Sequence, residues 1–107
     1  MKRGDLITVA LQGDYGKPRS ALIVQTDLFA PSDSVTILML SSTLVAAPLL
    51  RITVEPSPRN GLRQTSQVMV DKVMTVRRER VGEVIGQLED GAMITVTRSL
   101  ALFLGLA

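Results

Sequence analysis

The sequence predicts a mainly β, α+β fold: a small barrel-like or strongly twisted antiparallel sheet of five short strands with a C-terminal helix packed on it. Three observations carry this. Short β-branched and apolar runs alternate with Gly, Pro, Asn and Asp turns from Leu6 to Val76. The apolar spacing becomes helical after Arg77. A chain of 107 residues is long enough for one hydrophobic core and too short for two, so a single domain spanning 1–107 is expected.

Leu6-Ile7-Thr8-Val9-Ala10-Leu11, bounded by Gly4 and by Gly13-Asp14-Tyr15-Gly16, reads as a first strand entering a turn. Ser20 to Thr26 follows as a second strand, paired with the first as a hairpin whose polar loop, Gly13 to Pro18, lies at one edge of the sheet. Val35 to Leu40 is apolar at successive positions, the pattern of a central strand covered on both faces. Arg51 to Glu55 alternates, and Pro56-Ser57-Pro58-Arg59-Asn60-Gly61 can continue neither strand nor helix, so it is a loop turning at Asn60-Gly61. Ser66 to Asp71 supplies the fifth strand, which Val73 to Val76 extends or closes. Val81, Val84, Ile85 and Leu88 then follow helical spacing toward Gly91, and Asp90 caps a last helix with the stripe Met93, Val96 or Thr97, Leu100 and Phe103, ending at Gly105.

Composition narrows the chemistry. The chain has no Cys and no His, which excludes thiol catalysis, disulfides, structural zinc and every His-based triad or acid–base pair. Carboxylates, hydroxyls and arginines are left. Nine of the twelve cations are arginine, whose planar fork fits phosphate oxygens, although the net charge of +2 equally fits arginines that are solvated or paired with the ten carboxylates. The aromatics are Tyr15, Phe29 and Phe103, too few for a base-stacking platform, so the core is aliphatic. The apolar stretch after Met1-Lys2-Arg3 lacks a small-residue cleavage site, and the longest uncharged run, Ser34 to Leu50, is too short and too polar to span a membrane; a cytoplasmic protein with no membrane association is expected.

Three polar clusters interrupt the apolar pattern. Asp14-Tyr15-Gly16-Lys17-Pro18-Arg19 places a carboxylate, a phenol and two cations in one hairpin loop, which is also the composition of an ordinary solvated turn. Ser41-Ser42-Thr43 ends an otherwise apolar strand, where hydroxyls commonly satisfy loose backbone groups. Asp71-Lys72 precedes the basic run Arg77-Arg78-Glu79-Arg80, which reads most simply as a solvated face, although cations at a helix start oppose its dipole.

In order along the chain, these pieces resemble the MazF/PemK family of toxin endoribonucleases. The resemblance covers the opening Lys2-Arg3-Gly4-Asp5, the stretch from Gly13 through Lys17-Pro18-Arg19-Ser20-Ala21-Leu22-Ile23-Val24 to Asp27, the strand Val35 to Leu40 ending in Ser41-Ser42-Thr43, Gly61-Leu62, the block Ser66 to Val76, and the ending Leu104-Gly105-Leu106. Ser20 stands where the family usually has Pro, Lys72 and Met74 where it has Gln and Arg, and Met69 where an Arg is expected two residues before Asp71.

The resemblance implies an SH3-like barrel of the PemK/CcdB type and a metal-independent, sequence-selective endoribonuclease that needs no cofactor. Such an enzyme cleaves single-stranded mRNA by attack of the ribose 2′-hydroxyl, leaving a 2′,3′-cyclic phosphate and a 5′-hydroxyl. It further implies a homodimer held in check by a cognate MazE/PemI-like antitoxin. Arg19, Ser41, Ser42, Thr43 and Asp71 match the catalytic positions, with Asp14 a rival to Asp71 as the base, and Asp14, Tyr15, Lys17, Lys72 and Arg77 are the matching RNA contacts. An arginine is a poor proton donor near neutrality, so the role implied for Arg19 is stabilisation of the phosphorane. The alternatives are a non-enzymatic binding module of the same fold and a CcdB-like gyrase poison. The second is disfavoured because this chain has no Trp for the C-terminal Trp-Gly-Ile of that type.

Overall fold

The computed structural model describes residues 1–13 and 17–107. The described residues form six strands, β1 (Asp5–Val9), β2 (Arg19–Ile23), β3 (Ser34–Ser41), β4 (Arg51–Val54), β5 (Ser66–Arg77) and β6 (Val81–Gln87), followed by helix α1 (Asp90–Phe103). They make one sheet of order β4-β5-β3-β2-β1-β6 in which every pairing is antiparallel. The sheet is not hydrogen-bonded into a closed barrel: β4 and β6 are its edges. The expected β1–β2 hairpin forms, with Leu6 opposite Leu22 and Thr8 opposite Ser20. Both strands lie inside the sheet, and the polar loop expected between them, Gly13 to Pro18, lies partly outside the described residues.

β3 lies between β2 and β5 and is apolar on both sides because each side faces a core. Leu38 and Leu40 join Leu6, Leu22, Val68, Val70, Leu88 and Val96 in the cluster under α1, while Val35, Ile37 and Met39 join Ile7, Val9, Ala21, Ile23 and Val76 in the second cluster. The period of two along each strand sorts residues into these two clusters. α1 presses Met93, Val96 and Leu100 onto the first cluster, as its spacing predicts. Phe103, the last residue of the predicted stripe, is instead 47% exposed. The helix closes with Leu106 N–H donating to Ala101 O at 2.8 Å and Gly105 N–H to Leu102 O at 3.1 Å, the paired bonds of a Schellman ending.

Two further expectations fail. Residues 81–87 form strand β6 and not a helix. The apolar spacing fits either form over so short a window, but two glycines in a helix would each cost about 1 kcal/mol. In β6 both allow close approach: a Cβ on Gly82 would lie 2.5 Å from Thr8 Oγ1, and one on Gly86 would lie 2.3 Å from Asn60 O. Asp90 does not cap α1 either. The cap position is Glu89, without a side-chain capping bond, and the Asp90 carboxylate accepts from Arg59 Nη2 at 2.7 Å. No helix among the described residues is long and apolar enough to cross a membrane.

Candidate active site

The first core cluster turns polar at one end of the sheet. Leu6 and Leu22 are buried, and two residues away on the same faces stand Thr8 and Ser20. Leu40 on β3 is followed by Ser41-Ser42-Thr43, and Ile85 on β6 is preceded by Glu83. Neighbouring strands thus change from apolar to polar at one level, and a groove of about 580 Å³ opens there. Arg19 and Pro18 border it at the start of β2, and Gly61-Leu62-Arg63-Gln64 forms another part of its wall.

That wall is held by a polar network beneath it. Asn60 is fully buried; its amide donates to Glu55 O at 2.8 Å and Glu89 Oε1 at 3.1 Å, while its Oδ1 accepts from Ser57 N–H and Leu62 N–H, both at 3.0 Å. Ser57 Oγ donates to Glu89 Oε2 at 2.5 Å. The Ser57 hydrogen bond, aided by Asn60 and the nearby Arg59 charge, holds the Glu89 carboxyl below its ordinary range against the opposing effect of burial. Arg59 O also accepts from Gln87 N–H at 2.9 Å, which ties the loop to β6.

The structure brings Arg19, Ser41, Ser42 and Thr43 together in this groove. Ser41 Oγ accepts from Thr43 N–H at 3.0 Å, while the hydroxyls of Ser42 and Thr43 have no hydrogen-bond partner among the described residues. Lys17 is exposed and precedes Pro18, which lines the groove, but it does not line the groove itself. Asp14 and Tyr15 lie outside the described residues.

Three predicted residues lie elsewhere. The β3–β5 register jumps from Leu38 opposite Val73 to Leu40 opposite Val68, so Asp71 and Lys72 fall on extra residues bulged out of β5. Asp71 pairs there with Arg51 of β4. Burial would raise the Asp71 pKa, but the hydrogen bond and charge of Arg51 outweigh it and hold the carboxyl below its usual range. Lys72 is exposed on the same bulge. Arg77 stands opposite Ser34, the far end of β3 from Ser41, and at about 3.3 Å per residue the strand separates the two ends by roughly 20 Å.

The groove also holds residues the sequence reading passed over. Glu83 was hidden by the helical reading of β6, for which Gly82 and Gly86 were the available warning. Arg63 and Gln64 carry no local pattern that marks them, since the loop places them.

From residue 2 to residue 104 the sequence matches the family described as PemK-like, MazF-like toxin of type II toxin-antitoxin system. The chain belongs to this family. A relative from Mycolicibacterium smegmatis, named probable endoribonuclease MazF, is 44% identical over 108 residues, covering 100% of this chain and 99% of its own. Solved structures share the fold of this PemK/MazF-family toxin at lower identity. An endoribonuclease in complex with its cognate antitoxin from mycobacterial species superposes with a TM-score of 0.81 at 22% identity, over 100% of this chain and 97% of that one. A MazE–MazF structure from Deinococcus radiodurans has a TM-score of 0.81 at 18% identity, again over 100% and 97%. The six-stranded sheet with its C-terminal helix is therefore the family's fold.

Proposed function

We propose that this toxin is a cytoplasmic, sequence-selective endoribonuclease that cuts single-stranded mRNA without a metal ion. In this reading the ribose 2′-hydroxyl attacks the adjacent phosphorus, leaving a 2′,3′-cyclic phosphate and a 5′-hydroxyl. The observation that carries it is the convergence of Arg19 with Ser41, Ser42 and Thr43 on one groove from separate strands. A phosphorane carries more charge on its non-bridging oxygens than the phosphodiester does, and a guanidinium with neighbouring hydroxyl donors stabilises that excess in the transition state. Arg63, which also lines the groove, and Lys17, exposed next to Pro18, add cationic contacts for neighbouring phosphates.

Two further parts of the reading rest on relatives: the activity named for the Mycolicibacterium smegmatis protein and the antitoxin seen in the mycobacterial complex. A cognate antitoxin of MazE/PemI type blocks the groove by presenting acidic residues to the cations that otherwise bind phosphate. The working form is a homodimer, and a monomer in sedimentation at micromolar concentration would refute it.

The activity is tested by incubating the purified protein with a long single-stranded RNA in excess EDTA beside an Arg19→Ala control. Discrete cuts with cyclic phosphate and 5′-hydroxyl ends are expected. The variant should stay folded and lose about a hundredfold or more in rate. No cutting by folded, antitoxin-free protein across several RNAs would sink the proposal.

A further inference from the structure

We infer that Glu83 is the general base that takes the proton from the attacking 2′-hydroxyl. The inference deepens the ribonuclease reading and rests on it. Transfer of a phosphoryl group to the 2′-oxygen needs an acceptor for the hydroxyl proton, and with no His or Cys in the chain that acceptor is most simply a carboxylate. Asp71 is committed to Arg51 on the β5 bulge and does not line the groove. Glu83 is the carboxylate that the described residues bring to the groove shared by Arg19 and the Ser41–Thr43 hydroxyls.

Its placement follows from β6. Glu83 N–H donates to Thr8 Oγ1 at 3.0 Å, and Gly82 before it has no Cβ to hold the strand away from Thr8. The backbone is fixed at that point, while the side chain is exposed and makes no hydrogen bond or ion pair among the described residues. A carboxylate with no structural bond to break, set among cations that bind phosphate, is available to a proton on the substrate.

In the step assigned to it, Glu83 accepts the 2′-hydroxyl proton as the 2′-oxygen–phosphorus bond forms. The phosphorus–5′-oxygen bond breaks, and the departing oxygen takes a proton from water in the open groove. Glu83 then returns its proton to solvent. No redox partner is required.

Once the wild-type cuts are mapped, the test uses an RNA oligonucleotide spanning one cut and a copy with 2′-deoxyribose at the attacking position. Glu83→Gln should lower kcat by about a hundredfold or more, with KM and the affinity for the deoxy copy unchanged. Glu83→Ala should lose activity likewise and regain part of it with added formate, a rescue that a purely structural role would not show. Wild-type cutting by Glu83→Gln overturns the inference while Arg19-dependent cleavage keeps the ribonuclease reading. A loss of deoxy-copy binding that matches the loss of rate also overturns it, since Glu83 would then bind RNA and not move a proton. Folded Glu83→Ala that formate does not rescue counts against it as well. Wild-type protein that cuts no RNA removes the ribonuclease reading itself.

Discussion

Gly86 and Gly82 are both positions where a side chain would collide, but with different neighbours. A Cβ at Gly86 would lie 2.3 Å from Asn60 O and 2.4 Å from Asn60 C, backbone atoms held by the network around Asn60. At Gly82 the contact under 3.0 Å is Thr8 Oγ1, the end of a side chain. Gly86→Ala should therefore displace β6 from the groove wall and cost about 1–3 kcal/mol, the usual range for overpacking. Gly82→Ala should cost less, because Thr8 can turn away at the loss of its bond to Glu83 N–H. Thermal melts of the two variants check the order, and equal losses would contradict it.

The element that shapes the groove wall is the loop 55–62, locked onto the start of α1 through Glu89. Folding depresses the Glu89 pKa, so this group contributes stability that is fully present above its unfolded value of about 4.3 and is lost as pH falls through the lower folded value. Asp71 behaves the same way from an unfolded value of about 3.9, through its pair with Arg51. Ser57→Ala removes the strongest bond lowering the Glu89 pKa. Its stability deficit in urea melts should be largest near neutrality and should shrink as the pH drops below about 4. A deficit independent of pH would show that Ser57 acts by packing alone. The same loop explains why Arg63 and Gln64 could not be read as site residues: a turn was legible at Asn60-Gly61, but not the surface it would face.

For the molecule as a whole, the cations are spread over both ends of the sheet, and the groove takes a defined subset. Arg19 and Arg63 line it, whereas Arg77 is at the opposite end and Arg51 and Arg59 pair with Asp71 and Asp90. Single-stranded RNA bound here releases counterions in proportion to the phosphates neutralised, so affinity falls with salt at a slope of about −0.7 per contact. Arg63→Ala should reduce that slope by about 0.7, measured by anisotropy with the uncleavable deoxy RNA, and Arg77→Ala should leave it unchanged. A slope that responds to Arg77 and not to Arg63 would place the RNA on another surface.

The amino-acid sequence determined by itself the five strands through β5, the two-faced burial of β3 and the C-terminal helix, and its motifs singled out Arg19 and Ser41-Ser42-Thr43, which line one groove. Each follows from local periodicity, turn residues or an ordered set of motifs. Only the tertiary structure decided that residues 81–87 are a strand, because Gly82 and Gly86 answer to Thr8 and Asn60, which are remote in sequence. Register decided the remainder. A bulge in β5 carries Asp71 out of the groove to Arg51, and the antiparallel partnership of β1 with β6 brings Glu83 to its edge. Pairings between distant segments, and the irregularities in them, are set by packing of the whole sheet more than by the residues next to them.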